Sequence, residues 1–437
     1  MTTAPPRRRR AAAAGANQGS SAIGEIVGLL GPGLITGAAD DDPSGISTYS
    51  VTGAAFGYAP LWTALFSFPL MAAVQLMCAR LGMVTGKGLA GVVRARYPRR
   101  VLWSACALLV VANVINIGAD LGGMAEATAL VTGIDSLVWV PLYAVAIVAL
   151  LFWTSYRTIA RVFKWLTLVL LAYVVTAFLA APDWATVLHA TFVPRIEWTS
   201  GYLATLVGVL GTTISPYLFF WQAAEEVEEE RALGRHTVRD RIGATAAEIR
   251  LSRADVLIGM FFSNLVMYFI ILTTAATLHA HGDTAIRTAR DAAEALRPLA
   301  GDGAYWLFTL GIIGTGMLGV PILAGSCAYA IAEANAWRAT LADRPAQSRR
   351  FYAVLAVAMI LGLMLDYAGF DAVAMLFWSA VVNGVLAPPL IVLVVLLTSD
   401  ARVMGARTNP PSLRWLGWAT AILMTAASLA MFATAAA

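Results

Sequence analysis

Apolar stretches of about 20 residues recur along almost the whole chain, each long enough to cross the hydrocarbon core of a bilayer as a helix. Of its 437 residues 59% are hydrophobic and only 13% charged. A soluble chain of this length needs far more charged surface, so the sequence specifies an all-α, polytopic membrane protein. Eleven spans are expected, at about 23–57, 61–84, 101–131, 137–153, 161–180, 201–224, 254–279, 304–334, 351–365, 372–398 and 413–434. Residues 1–21, rich in Ala, Arg and Gly, are too polar for a signal segment and are expected to form a disordered basic tail.

Basic residues give the orientation. Arg7 to Arg10 and the basic clusters within 87–100, 157–164, 231–253 and 338–350 all fall on one side of such a layout. Basic loops stay cytoplasmic, so the N-terminus is expected inside and the C-terminus outside. Loop 133–136 has no Lys or Arg, as an outer loop should. Loop 282–298 is mixed, with Arg287, Arg290 and Arg297 beside Asp283, Asp291 and Glu294, and reads as an amphipathic helix lying outside. The net charge of +4 comes from this inside bias and the tail, which argues against nucleic-acid binding. The expected partners are the bilayer of a cell (inner) membrane and a small cation, with the protein as a monomer.

The first span contains what a membrane helix least tolerates. Asp40, Asp41 and Asp42 interrupt it and Pro43-Ser44-Gly45 follow. An Asp at the bilayer centre costs about 2.5 to 3.5 kcal/mol, so it is retained for function. Pro removes a helical hydrogen bond, which frees backbone carbonyls beside the carboxylates. The sixth span is interrupted as well, at Gly211-Thr212-Thr213-Ile214-Ser215-Pro216. A Ser-Pro kink alone is ordinary in membranes. Paired with a break that carries carboxylates, it marks an inverted repeat whose site lies between the two breaks. The repeats are expected at 22–180 and 201–399, with 413–434 as an added span.

Asp42 offers charge, the first break carbonyls, and Thr212, Thr213 and Ser215 hydroxyls or carbonyls. Neither break contains Cys, Met or His. Hard oxygen donors select a hard divalent cation, Mg²⁺ or Mn²⁺, that keeps some water.

Three stretches resemble the Nramp family of divalent-metal transporters. These are Gly31-Pro32-Gly33 followed by Asp42-Pro43, the segment from Arg80 to Lys87 with Leu89-Ala90, and Thr213-Ile214-Ser215-Pro216-Tyr217. The resemblance implies eleven spans in an amino-acid-transporter-like fold, alternating access and no resident cofactor. It also implies that Asp42 binds metal and that Thr212 donates a carbonyl. Gly45 stands where the family has a metal-binding Asn, and Ser215 where it has a metal-binding Met. A roomier and harder site follows, similar to the branch of Nramp-related magnesium transporters. Of the family's proton carriers only an Asp is matched, by Asp120; Gly123 replaces a Glu and Tyr217 a His. Weak or absent proton coupling is therefore expected, with Glu126 one turn beyond Gly123 as a substitute carrier. The alternative is an ordinary proton-coupled Mn²⁺/Fe²⁺ symporter.

Asp41 and Ser44 are candidates for an outer shell around the ion, and Asp40 shares that reading. Asn113, Asn116 and Asp120 line one helical face, as pathway or as interhelical hydrogen bonds. Gln222, Glu225, Glu226 and Glu229 continue the face of Ser215 inward and would concentrate cations there. Glu228 and Glu230 read as a solvated helix end. Asn383, near Pro388-Pro389, is a further pocket candidate. His279 and His281 read as a solvated loop, and Cys78, Cys106 and Cys327 as structural thiols. A sodium-coupled organic-solute symporter would share the broken helices, but three aspartates suit a cation better than an organic anion. No HExxH motif or nucleophile–base pair is present, so an enzyme is not expected.

Overall fold

Proline sets both helix breaks by the same local rule. A residue before proline is driven out of the helical region and into extended backbone. Asp42 (φ −69°, ψ 172°) and Ser215 (φ −73°, ψ 132°) both obey it, and the helices that follow start on Pro43 and Pro216. Proline suits that first position because its missing N–H would have had no partner. In the computed structural model of the protein, which describes residues 32–154, 158, 168–343 and 345–436, the first broken helix is α1 (Pro32–Asp40) and α2 (Pro43–Phe56). Then follow α3 (Trp62–Thr85), α4 (Leu89–Arg96), α5 (Arg99–Thr132), α6 (Ser136–Trp153), α7 (Leu171–Leu179) and α8 (Trp184–Phe192). The second broken helix is α9 (Ser200–Thr213) and α10 (Pro216–Ala232). The last five long helices are α11 (Ala246–Thr277), α12 (Ala304–Ala334), α13 (Arg349–Asp366), α14 (Ala372–Ser399) and α15 (Pro411–Ala436).

Among the described residues, eight helices are long and apolar enough to cross a membrane, counting α9 and α10 as one. The other three expected spans fall short for separate reasons. The first is split into pieces of 9 and 14 residues, and its beginning at 23–31 lies outside the described residues. The first part of the fifth, 161–167, lies outside them too, as do the basic tail and the cluster at Arg157, Arg161 and Lys164, and what is described of it, Leu168–Leu179, is too short to count. The ninth, α13, has Arg349, Arg350 and Asp366 within its 18 residues.

Burial separates inner helices from outer ones. The apolar window of α9–α10 is 89% buried and that of α12 83%, against 22% for α6 and 28% for α15. The inner helices can come close because small residues face one another. Gly211 of α9 lies on the backbone of Ala380 and Gly384 of α14, where any side chain would collide. In the same way Gly37 of α1 rests on Gly259 of α11. The outer helices present Trp153, Val145, Trp415 and Leu429 to the surroundings, as lipid-facing helices do.

Two expectations are corrected here. Glu228 and Glu230 are buried, not solvated. Glu228 accepts hydrogen bonds from Arg231, Tyr329 and Thr340, and Glu230 pairs with Arg235. The segment 282–298 is two short helices, Ala289–Glu294 and Arg297–Ala300, with Ala289, Ala292 and Ala293 turned inward. His279 is half-buried and bonds to the Ala54 carbonyl (2.8 Å). The three cysteines are buried and free.

Candidate cation site

Asp42 caps the N-terminus of α2, so its carboxylate is held at the break by the helix it starts. Oδ1 accepts from Gly45 N (2.8 Å) and from Ser44 Oγ (2.7 Å). Oδ2 accepts from Asn116 Nδ2 of α5 (2.9 Å) and from the Tyr217 hydroxyl of α10 (3.3 Å), whose single proton also faces Ala39 O (3.0 Å). Three separate parts of the chain therefore converge on one carboxylate that is 2% exposed. Ser44 also reaches a second carboxylate, because its N–H donates to Asp120 Oδ1 (3.1 Å).

The other aspartates of the run face elsewhere. Ser263 of α11 donates to Asp40 Oδ2 (2.6 Å), with Asp41 Oδ1 at 3.4 Å. Both thus turn to α11, whereas Asp42 accepts from α5 and α10.

At the second break the helix ends at Thr213, later than the glycine at 211, and only Ile214 and Ser215 are unwound. The Ser215 hydroxyl donates back to the carbonyls of Gly211 (2.9 Å) and Thr212 (2.6 Å), which the end of α9 leaves free. Thr213 likewise bonds to Val209 O (2.8 Å) within its own helix. Thr212 Oγ1 pairs with the Tyr49 hydroxyl (2.6 Å), and a Cβ added at Gly45 would lie 3.1 Å from that Oγ1. The side-chain oxygen of Thr212 thus faces the first break, while its carbonyl accepts from Ser215.

The expected residues are only partly assembled. Asp42, Ser44, Gly45, Asn116, Asp120 and Tyr217 form one hydrogen-bonded group, and Thr212 meets it at Gly45. Gln222 lies about two turns along α10; it accepts from Thr36 of α1 (2.7 Å) and donates to Glu226 (3.2 Å), which Ser252 also reaches (2.7 Å). Asn383 is 1% exposed on α14, and among the described residues its Oδ1 has no hydrogen-bond partner. Asn113 spans to α12, donating to Leu323 O (2.9 Å) and Ser326 Oγ (2.7 Å). Glu126 is separate from the group, in an outlying cavity of about 210 Å³ that Arg287, Asp366 and Asp371 also line.

Sequence reasoning missed Tyr49, Ser263 and Gly319. Tyr49 lies one turn beyond Gly45 on the same face, which was a usable signal. Ser263 and Gly319 stand in apolar helices where nothing local distinguishes them.

With this geometry in place, comparison with known proteins is informative. The model of a family described as natural resistance-associated macrophage protein-like matches residues 33–434. The chain belongs to the Nramp family. Among relatives of this Nramp chain, the "divalent metal cation transporter MntH" of Deinococcus radiodurans is 28% identical over 438 aligned positions, covering 93% of this chain and 90% of the relative. The same helical fold occurs in the crystal structure of the Eremococcus coleocola manganese transporter in complex with an aromatic bis-isothiourea compound. It is 21% identical, with a TM-score of 0.74, and covers 94% of this chain and 87% of that one. A nucleobase-cation-symport-1 family transporter in a closed conformation is more distant, at 14% identity and a TM-score of 0.59 over 93% of this chain and 91% of that one.

Proposed function

We propose that this protein moves a divalent cation, Mg²⁺ and/or Mn²⁺, across the cell (inner) membrane by alternating access. The supporting observation is Asp42. It is a buried carboxylate at a proline-set break, surrounded by hydroxyl, amide and backbone groups that come from both broken helices and α5. Asp42 supplies charge, Thr212 and Ser215 supply oxygens from the second break, and Gly45 leaves space for a retained water. Ser44, Asp41, Thr213, Tyr217, Gln222 and Asn383 support that arrangement or the path to it. The membrane arrangement proposed with it has eleven spans, with repeats at 22–180 and 201–399 and the last span at 413–434. Its N-terminus is cytoplasmic, its C-terminus outside, and one copy suffices. The metal is substrate, not cofactor, and no covalent chemistry is involved.

Two positions support transport without protons. Gly123 carries no acid where the family has one, and its open side is covered by the end of the Leu376 side chain. Tyr217 stands where the family has a histidine and serves as a hydrogen-bond donor. A second reading, a proton-coupled Mn²⁺/Fe²⁺ symporter, draws on Met124. This buried thioether lies one turn beyond Asp120, against Gly316, which also faces Pro43.

The test is uptake of Mg²⁺, Mn²⁺ and Ca²⁺ into proteoliposomes loaded with a pH dye. Asp42→Ala is expected to abolish divalent uptake, and uptake unchanged from wild type refutes the assignment. Mn²⁺ uptake that acidifies the lumen while Mg²⁺ is ignored would establish the second reading instead.

A further inference from the structure

We propose that Asp120 is a second carboxylate ligand of the transported cation, so that the ion binds against α5 and α12 as well as between the broken helices. This rests on the reading of Asp42 given above and adds half of the charge.

Asp120 and Asn116 lie one turn apart on the face of α5 that meets the first break, and both are fully buried. Each has one oxygen or nitrogen accounted for and one oxygen that is not. Asp120 Oδ1 takes the Ser44 N–H, while among the described residues Oδ2 has no hydrogen-bond donor. Asn116 gives its NH₂ to Asp42, and its Oδ1 has no donor either. The amide cannot turn the other way, because a carboxylate only accepts. Buried oxygens without partners are rare, and a buried carboxylate without counter-charge is costlier still. Among the described residues no Lys, Arg or His forms an ion pair with Asp42 or Asp120. A divalent cation satisfies all of these groups together. Two carboxylates match its charge, and the Asn116 carbonyl and the Ser44 hydroxyl add neutral oxygens, a hard donor set.

A glycine stands where the two acids meet. Gly319 of α12 faces both acids: a Cβ built there would lie 3.0 Å from Asp42 Cβ and 3.8 Å from Asp120 Oδ2. The missing side chain thus lets the backbone of α12 approach both acids, and a methyl there would crowd Asp42. Ser44 holds them side by side, its O–H on Asp42 and its N–H on Asp120. The hydroxyls of Thr213 and Ser215 are turned back into their own helix, whereas these oxygens face across the break.

The test measures Mn²⁺ binding to the purified full-length protein, from the free-ion signal in electron paramagnetic resonance, in mildly acidic and mildly alkaline buffer. Asp120→Asn keeps the shape and an acceptor for Ser44 but removes one charge. It is expected to weaken Mn²⁺ binding by about tenfold or more at both pH values. Gly319→Ala, which alters no charge, is expected to weaken it as well by crowding Asp42. Wild-type affinity in either variant overturns the proposal. Asp120→Asn binding that matches wild type while the pH dependence of uptake changes would make Asp120 a proton carrier instead. Asp42→Ala separates the two readings: if it alone loses binding, the Asp42 site stands and the Asp120 ligand falls; if it too binds as wild type, both fall.

Discussion

A single carboxylate here has two tasks that substitution can separate. Asp42 starts α2 as its cap, and in the proposed site it also supplies the charge. Asn caps a helix about as well as Asp, so Asp42→Asn is expected to melt within about 1 kcal/mol of wild type. The same variant should lose divalent uptake; melting by light scattering and uptake of Mn²⁺ check both halves. Ser215 offers a second separation. Its hydroxyl is occupied with the end of α9, so replacing it by Met leaves two carbonyls without a donor but brings a thioether to the break. Soft donors favour softer ions, and Ser215→Met is expected to raise competition by Cd²⁺ against Mg²⁺ by about tenfold. An unchanged ranking would place Ser215 away from the ion. At this scale the sequence is readable where chemistry is local. Asp42, Pro43 and Ser44 declare the break by themselves. Asn116 meets them from 74 positions away, and only the fold shows that its amide faces Asp42 and not the lipid.

Helices report their interiors better than their ends. The span expected at 304–334 is helical over those residues, bounded by Gly303 and Asn335. The span expected from 254 begins at Ala246 instead. Arg250 and Arg253 interrupt its hydropathy, but Thr245 and Glu248 cap each other's backbone and start the helix eight residues earlier, outside any apolar window. The burial of Glu228 was not legible at all, because Tyr329 and Thr340 reach it from sequence separations of 101 and 112. Close helix packing gives the prediction that belongs here. Gly211→Leu drives a side chain into the backbone of α14, and overpacking of this kind costs about 1–3 kcal/mol. Its melting temperature in detergent should fall accordingly. Gly311→Ala is the control, since its Cβ would sit 3.5 Å from Leu170 Cδ2, an ordinary contact, and alanine gains about 1 kcal/mol in helix propensity. If both melt alike, close α9–α14 approach is not what holds these helices together.

For the whole molecule, hydropathy carries most of what is readable, because a bilayer constrains every span in the same way. The pairing of the two breaks also follows from sequence, since proline acts on the residue before it wherever it stands. Energy coupling is a property of the complete transport cycle and needs a measurement at that scale. A dication entering an inside-negative vesicle gains about 4.6 kcal/mol per 100 mV, twice the value for one charge. With no acid at Gly123 and Tyr217 acting as a donor, that potential is the expected driving force. Uptake of Mg²⁺ or Mn²⁺ should therefore rise with an imposed potassium diffusion potential and persist when a protonophore clamps both sides at one pH. The opposite result is equally readable. Accumulation of Mn²⁺ driven by a proton gradient at zero potential would require a path that avoids positions 123 and 217. Glu126 is then the group to replace, because it shares the outlying cavity with Asp366 and Asp371. Glu126→Gln should abolish proton-driven accumulation in that case, and should leave potential-driven uptake at its wild-type rate.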